Sequence, residues 1–213
     1  MFDLMFDLDE ILAMQIRTVA RWHLEPVTNP YAIEEEHPSL AAIACQQHQY
    51  NYLLWHEEDI ARSPDVTDSQ IANVKRNIDR YNQLRNDWIE KVDDWITDDL
   101  NSQQVQILQD AKLATETPGS AIDRLSIISL RIYHLEEQLQ RTDVDESHRE
   151  KVKHRLAICR LQHAELSQSL RELLENIYTG RNKHRTYRQF KMYNDPSLNP
   201  YLYNRAQLSA PKD

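Results

Sequence analysis

Residues 67–96 read TDSQIANVKRNIDRYNQLRNDWIEKVDDWI, and this stretch indicates the fold of the chain more clearly than any other. It opens on Thr-x-x-Gln, a capping-box pattern in which two side chains satisfy free backbone N–H groups at the start of a helix. Apolar positions then recur at alternating intervals of three and four, which is the spacing of a helix seam in an antiparallel bundle. The stretch therefore predicts one helix of around 30 residues. Its seam is formed by Ile71, Val74, Ile78, Tyr81, Arg85, Trp88, Val92 and Trp95.

The composition of the whole chain also favours helices. It contains 2 glycines in 213 residues, against a usual share of ~7%. Turns, bulges and hairpins depend on glycine, and the hairpin dipeptides Asn-Gly and Asp-Gly do not occur. We predict an all-α fold, with an antiparallel helical bundle of about five helices over residues 1–179. A basic, aromatic extension over residues 180–213 is expected to pack on the bundle as a strap.

Capping and breaking residues predict where the helices begin and end. Side chains such as Asp, Ser and Thr favour the position before a helix, proline favours its first position, and glycine favours the position after its end. The predicted helices run from Asp7 or Asp9 to about His23, from Pro38 to Arg62, over residues 67–96, over residues 103–114, from Thr117 onward, and from Asp143 or Asp145 to Gly180.

Charge is distributed unevenly along the chain. The net charge of −9 disfavours general nucleic-acid binding. Residues 180–213 nevertheless carry seven Lys and Arg against two Asp, whereas the preceding residues carry 18 Lys and Arg against 32 Asp and Glu. We expect the basic extension to dock on the acidic body or on an anionic partner, and an exposed solubilising tail is the alternative.

The sequence predicts a cytoplasmic protein. It has no apolar run of 18 residues or more, so no membrane span is expected. The first residues, MFDLMFDLDE, are acidic where a signal peptide is positively charged. Cys45 and Cys159 are isolated, as expected of buried thiols in a reducing compartment.

Polar residues lie on the face of the second helix that is expected to be buried. At 100° per residue, Glu58 and Arg62 fall on one line with Asn51 and Trp55, and Asp59 lies at the edge of that line. Glu58 and Arg62 are also four residues apart, in the orientation that favours an ion pair on a helix.

A similar anomaly occurs in the seam of the third helix, where Arg85 stands among apolar residues and Asn82 lies at the rim. A buried guanidinium is tolerated only when it is paired and fully hydrogen-bonded. We therefore predict a carboxylate partner for Arg85, and Glu58 is the expected one. Two interpretations remain open. The pair could be a structural device that fixes helix register, or these groups could converge on a ligand pocket between helices.

The stretch around Gly119 suggests a second element of the site. Thr117 and Pro118 are typical of a helix start, and a glycine in the first turn would let an anion approach free backbone N–H groups. The alternative is that Gly119 permits close helix packing. The predicted ligand-binding residues are Asn51, Trp55, Glu58, Asp59, Arg62, Asn82, Arg85, Thr117, Gly119, Asp123 and Arg124.

Motifs for other chemistry do not occur in the sequence. HExxH, GxSxG, P-loop and GxGxxG patterns are absent, and no His/Cys spacing fits zinc. We therefore assign no metal ligand, no catalytic residue and no cofactor. His163 in the seam of the last helix is interpreted as a core histidine.

Four ordered motifs resemble those of a bacterial family known as domain of unknown function 4254. They begin at Asn51, Lys75, Glu116 and Phe190 and read NxxLWHxEDxAR, KRxIDxxNQxRND, ETPGxxIDRLSI and FKMYNDP. The resemblance covers nearly the whole chain. It carries over no activity and no catalytic residue, and it implies only a loose association with glycosyltransferases of surface-polysaccharide synthesis.

Three classes of function follow from these observations. The first is a helical bundle that binds a small anionic ligand, phosphorylated or a sugar nucleotide, with Arg62 and Arg85 holding the anion. The second is a non-catalytic adaptor, as a homodimer for example, with a buried polar network. The third is an enzyme, a hydrolase or transferase linked to surface polysaccharide, in which Glu58 or Asp59 acts as general base.

Overall fold

Five long helices dominate the fold in the computed structural model, which describes residues 6–33, 36–192 and 195–202. The all-α prediction is confirmed. None of the helices in these ranges is long and apolar enough to cross a membrane. The elements are α1 (Leu8–Trp22), α2 (Leu40–Ala61), α3 (Asp68–Ser102), β1 (Lys112–Leu113), α4 (Pro118–Gln140), α5 (Glu146–Tyr178) and β2 (Asn182–Lys183).

Each long helix begins at a side-chain cap, as the sequence predicts for most of them. In every case the cap accepts a hydrogen bond from the backbone N–H three residues further on, which satisfies a group that has no partner within the helix. At the start of α3 the reciprocal bond is also present, so the capping box is complete. The caps are Asp7, Ser39, Thr67, Thr117 and Asp145.

One predicted helix boundary and one predicted helix are wrong. Pro38 does not begin α2, because Ser39 is the cap and the Pro38 carbonyl instead accepts a hydrogen bond from Nε1 of Trp95 at 3.1 Å. Residues 103–114 do not form a helix. The backbone turns at Gln104, which has a φ of 53°, and Leu108 donates its N–H to the carbonyl of Gly180 at 3.0 Å. Beyond its local turns, this segment therefore bonds to the chain that follows α5.

Helices joined by a short loop pack against each other. α2 packs along α3 and α4 packs along α5, while α1 lies against α2 and α4. Short loops between consecutive helices are typical of antiparallel neighbours. The α3 seam is buried at Val74 and Val92 but 37% exposed at Ile71, because residues 68–73 at the start of α3 are exposed. The most completely buried large side chains include Ile11, Met14, Leu40, Ile96, Ile122, Leu125, Leu130, Leu170 and Leu174.

After α5 the chain turns back along α3. Gly180 has a φ of +73°, as predicted for the residue that ends the helix, and a side chain there would clash with the carbonyl oxygen of Gln106. β2 then pairs in parallel with β1. Further on, Arg188 bonds the carboxylates of Glu90 and Asp94. Tyr193, Asn194 and residues 203–213, which also belong to the predicted strap, lie outside the described residues.

Candidate functional site

The buried carboxylate of Asp123 is the centre of the polar network between α2, α3 and α4. Its residue is only 4% exposed. Arg85 donates to it with two nitrogens on one edge of the guanidinium, Nε to Oδ1 at 2.8 Å and Nη2 to Oδ2 at 2.5 Å. Asn51 Nδ2 donates to Oδ1 at 2.9 Å, and Gln47 Nε2 donates to the same oxygen. Protein donors therefore surround this carboxylate.

The prediction that Glu58 pairs with Arg85 is wrong, and Asp123 takes that place. A buried guanidinium needs a carboxylate held in bidentate geometry, and α4 brings Asp123 directly to α3. Glu58 instead forms an ion pair with Arg62 at 2.6 Å, with both side chains exposed, at 44% and 70% respectively. The two residues are a pair along one helix, in the orientation that the sequence suggests.

Below Asp123 the network continues into the closed interior. Ser126 Oγ accepts a hydrogen bond from Asn51 Nδ2 at 2.8 Å and lies 2.6 Å from Nδ1 of His48. The His48 ring stacks against Trp22 with centroids 5.1 Å apart. Burial lowers the pKa of His48 to about 3, so its imidazole is neutral at physiological pH. This side of the network is structural.

Above Asp123 lies an open cleft of about 410 Å³, which we call the polar cleft. Its two sides carry every predicted binding residue of α2 and α3, so the structure brings that part of the prediction together. Arg85 links the cleft to the buried network, since its side chain is 26% exposed. The polar cleft is lined by Asn51, Leu54, Trp55, Glu58, Asp59, Arg62, Asn82, Arg85, Ile127 and Leu130.

The polar cleft offers more hydrogen-bonding groups than free positive charge. Arg85 is already paired with Asp123, and Arg62 is already paired with Glu58. Amide and carboxylate groups lie beside the indole of Trp55. Such a lining suits a polar, uncharged group more than it suits a bare anion.

A second cleft of about 550 Å³ adjoins the first and shares Trp55 and Asp59 with it. We call it the arginine groove. Arg131 from α4 and Arg155 from α5 are exposed in it, and neither has an ion-pair partner among the described residues. Sequence reasoning missed both, because each lies on an outward, polar helix face. Only the pairing of α4 with α5 brings them to one groove.

The remaining predicted residues lie outside both clefts. The Gly119 N–H donates to Asp93 Oδ1 at 2.8 Å, so it is not free for an anion. A side chain at Gly119 would meet the Ile89 carbonyl at 2.6 Å, and the close-packing alternative therefore explains this glycine. Thr117 is a helix cap. Arg124 is paired with Glu116 at 2.6 Å.

Sequence reasoning did not identify Asp93 as the buried partner of the Gly119 N–H. It is 2% exposed, and burial raises the pKa of its carboxyl, against the opposing effect of its hydrogen bonds at the start of α4. Its carboxylate lies at the positive end of the helix dipole. The carboxyl group of Asp93 therefore occupies the position at the start of α4 where the sequence suggests an anionic ligand.

Three histidines from different helices meet behind Trp55. One ring nitrogen of each of His23, His56 and His134 lies within 4.8 Å of the others. His134 stacks on Trp55 with ring centroids 4.8 Å apart and lines the arginine groove. No sequence spacing connects these residues, so motif searches could not find the cluster. His163, interpreted as a core histidine, is half-buried on α5.

The chain belongs to the family described as protein of unknown function (DUF4254), whose model matches residues 41–186. The family resemblance that the four motifs suggest is thereby confirmed. The matched range runs from α2 into the start of the extension and includes all residues of both clefts. Comparison with curated proteins found no match, and comparison with solved structures found none.

Proposed function

We propose that this member of the DUF4254 family binds a small, hydroxyl-rich, phosphorylated ligand, such as a sugar phosphate or a sugar nucleotide. The ligand would lie across the polar cleft and the arginine groove. The observation that carries the proposal is a pair of exposed arginines, Arg131 and Arg155, which have no ion-pair partner in the part of the chain that the structure describes and lie beside a cleft of hydrogen-bonding groups. Trp55 and Asp59 belong to both clefts, so one ligand can span them.

The polar cleft supplies the sugar end of this proposal. Asn82 and Asp59 offer an amide and a carboxylate to hydroxyl groups, and the Glu58–Arg62 pair lies at the side. The indole of Trp55 offers an apolar surface to a sugar ring. The two clefts have volumes of about 410 and 550 Å³, and ligand pockets typically have ~300–1,000 Å³.

The arginine groove supplies the phosphate end. A guanidinium binds phosphate oxygens with two parallel, charge-assisted hydrogen bonds, and it keeps its charge at every physiological pH. Within the described ranges Arg131 and Arg155 have no carboxylate partner, whereas Arg85 is paired with Asp123. In this proposal Arg131 and Arg155, and not Arg85, bind the anion. Arg85 instead lines the polar cleft.

A non-catalytic adaptor is the second candidate. It is favoured by the saturation of Asp123 with protein donors, since this network would serve stability without a ligand. On this hypothesis the two clefts bind no metabolite. Calorimetry with small ligands separates the two candidates.

The test is isothermal titration of the full chain with glucose 1-phosphate and UDP-glucose, with glucose and inorganic phosphate as the separate halves. We expect the phosphorylated sugars to bind better than either half. Arg131→Gln and Arg155→Gln should each weaken binding about tenfold or more, because a hydrogen bond to a charged group contributes roughly 1.5–3 kcal/mol. The control is Arg185→Gln, which removes an exposed arginine outside both clefts.

Two outcomes would overturn the proposal. One is the absence of binding by either phosphorylated sugar at millimolar concentration. The other is an equal loss of affinity in the Arg185→Gln protein, which would assign the binding to general charge attraction.

A further inference from the structure

We propose that His23, His56 and His134 form a binding site for one divalent transition-metal ion, with Zn²⁺ as the best-fitting ion. His23 ends α1, His56 belongs to α2 and His134 belongs to α4, so an ion there would join three helices. The inference concerns a separate set of side chains and does not rest on the proposed ligand.

The first argument is the state of the ring nitrogens. Nε2 of each of the three histidines is buried and has no hydrogen-bond partner among the described residues. A buried polar atom without a partner costs roughly 1–3 kcal/mol, so such atoms are uncommon. Three of them gathered within one cluster need an explanation, and a shared ion would satisfy all three.

The second argument is that Nδ1 of His23 and of His134 donates a hydrogen bond. His23 Nδ1 lies 2.7 Å from the carbonyl oxygen of Val19, and His134 Nδ1 lies 3.3 Å from Oε2 of Glu137. Both oxygens can only accept, so each Nδ1 donates and each Nε2 keeps its lone pair. Metal-binding histidines typically have this arrangement, with the outer nitrogen donating to a carbonyl or a carboxylate.

The rings are also held in place by aromatic stacking. Tyr133 stacks on His23 with centroids 4.3 Å apart, and Trp55 stacks on His134. Ring stacking accounts for the ring faces. It does not account for three ring-edge nitrogens without partners, and those are the atoms that a metal would contact.

The donor set limits the kind of ion. Imidazole nitrogens suit Zn²⁺, Cu²⁺, Ni²⁺ and Fe²⁺, whereas Mg²⁺ and Ca²⁺ prefer oxygen ligands. In a tetrahedral zinc site the ligand nitrogens are ~3.3 Å apart, given Zn–N distances of ~2.0–2.1 Å. One ring nitrogen of each histidine lies within 4.8 Å of the others, and side-chain rotations would bring the ligand nitrogens to the spacing of a zinc site. Three histidines would leave one position for water or another ligand.

The experiment uses the full chain, made without a histidine tag and stripped of metal with a chelator. Titration with ZnCl₂ should show one ion bound per chain with a dissociation constant of about 1 μM or tighter, and the ion should raise the melting temperature. Titration with CoCl₂ should give the intense visible absorption of tetrahedral Co²⁺, which tests the site without any substitution.

His56→Phe and His134→Phe keep an aromatic ring in the stack but remove the ligand atom. We expect each to weaken Zn²⁺ binding at least 100-fold and to abolish the Co²⁺ absorption. The matched control is His163→Phe, because His163 also has a buried Nε2 without a partner but stands outside the cluster. It should bind Zn²⁺ as the unaltered chain does.

Three results would overturn the inference. They are the absence of stoichiometric Zn²⁺ binding, undiminished binding in a folded His56→Phe or His134→Phe protein, and an equal loss in the His163→Phe protein. Circular dichroism establishes whether each variant is folded. If neither cluster variant folds, the Co²⁺ spectrum of the unaltered chain decides the question.

Discussion

At the scale of single residues, Asp123 explains why a helix seam contains Arg85. The guanidinium lies on α3 among apolar side chains and meets a carboxylate whose side chain is 5% exposed. Amide donors from Asn51 and Gln47 complete the coordination of that carboxylate. The arginine is therefore neither an error in the seam nor a free anion-binding group. It is the partner of the most enclosed acid in the polar network.

Breaking this pair should cost far more stability than breaking the exposed pair next to it. In the Asp123→Asn protein, Arg85 loses its counter-charge while it remains three-quarters buried. Removing one partner of a buried pair costs roughly 3–5 kcal/mol, and we expect about 3 kcal/mol here because Arg85 is partly solvated. Urea denaturation at pH 7 measures the free energy of unfolding.

Glu58→Gln is the matched control, because it breaks the exposed ion pair with Arg62. Exposed pairs contribute roughly 0–1 kcal/mol, so this variant should remain close to the unaltered chain. Comparable losses in the two variants would contradict the assignment of Asp123 as the main partner of Arg85.

At the scale of secondary-structure elements, the start of α4 is positioned by its close approach to α3. Gly119 donates its N–H to Asp93 and lies against the backbone of Ile89. Thr117 caps the same turn. This contact fixes the position of α4 along the axis of α3. Asp123 lies one turn after Gly119 and therefore meets Arg85.

Gly119→Ala should therefore destabilise the fold although alanine favours helices. The helix propensity of alanine would contribute ~1 kcal/mol in its favour. The added methyl group would lie 2.6 Å from the Ile89 carbonyl oxygen and 2.9 Å from the Asp93 carboxyl carbon, and such overpacking typically costs ~1–3 kcal/mol. We expect a net loss in the free energy of unfolding, measured by urea denaturation.

Ser69→Ala is the control for this prediction, because Ser69 occupies the equivalent first-turn position of α3 and is exposed. It should change stability by no more than ~0.5 kcal/mol. A Gly119→Ala protein as stable as the unaltered chain would show that α4 can move away from α3 at little cost.

The same elements show which features the sequence could predict. Helix starts depend on residues three positions apart, so the caps at Thr67 and Thr117 were predictable. The cleft faces of α2 and α3 were also predictable, because helical periodicity groups their residues. The partner of Arg85 was not predictable, since helical periodicity made Glu58 a candidate and only the pairing of α3 with α4 brings Asp123 to Arg85. The prediction of a helix over residues 103–114 is wrong for a similar reason, since the N–H of Leu108 bonds to Gly180, which is distant in the sequence.

At the scale of the whole molecule, the basic extension after α5 forms ion pairs with acidic residues of α3. Residues 184–191 of the basic extension contact α3, where Arg188 meets Glu90 and Asp94. Lys191 donates to the carbonyl oxygen of Asn82, a residue of the polar cleft. The extension thus supports the outer side of the helix that carries one wall of the cleft.

The stability of the whole fold should depend on pH through His48. The folded-state pKa of this buried imidazole is about 3, whereas in the unfolded chain it is ~6.5. Between these values the unfolded state binds a proton at His48 and the folded state does not, so stability rises with pH. Lowering the pH from 6.5 should remove up to ~1.4 kcal/mol per pH unit through this one group.

His48→Asn isolates this contribution, because asparagine keeps a hydrogen-bonding group near Ser126 but does not titrate. At pH 7 the unaltered chain should be the more stable protein. Its advantage should shrink as urea denaturation is repeated at pH 6, 5 and 4, since only the unaltered chain must keep the imidazole of His48 unprotonated when it folds. His154→Asn, at an exposed position on α5, should instead run parallel to the unaltered chain. A stability difference for His48→Asn that stays constant across this range would mean that the interior accommodates the charged ring.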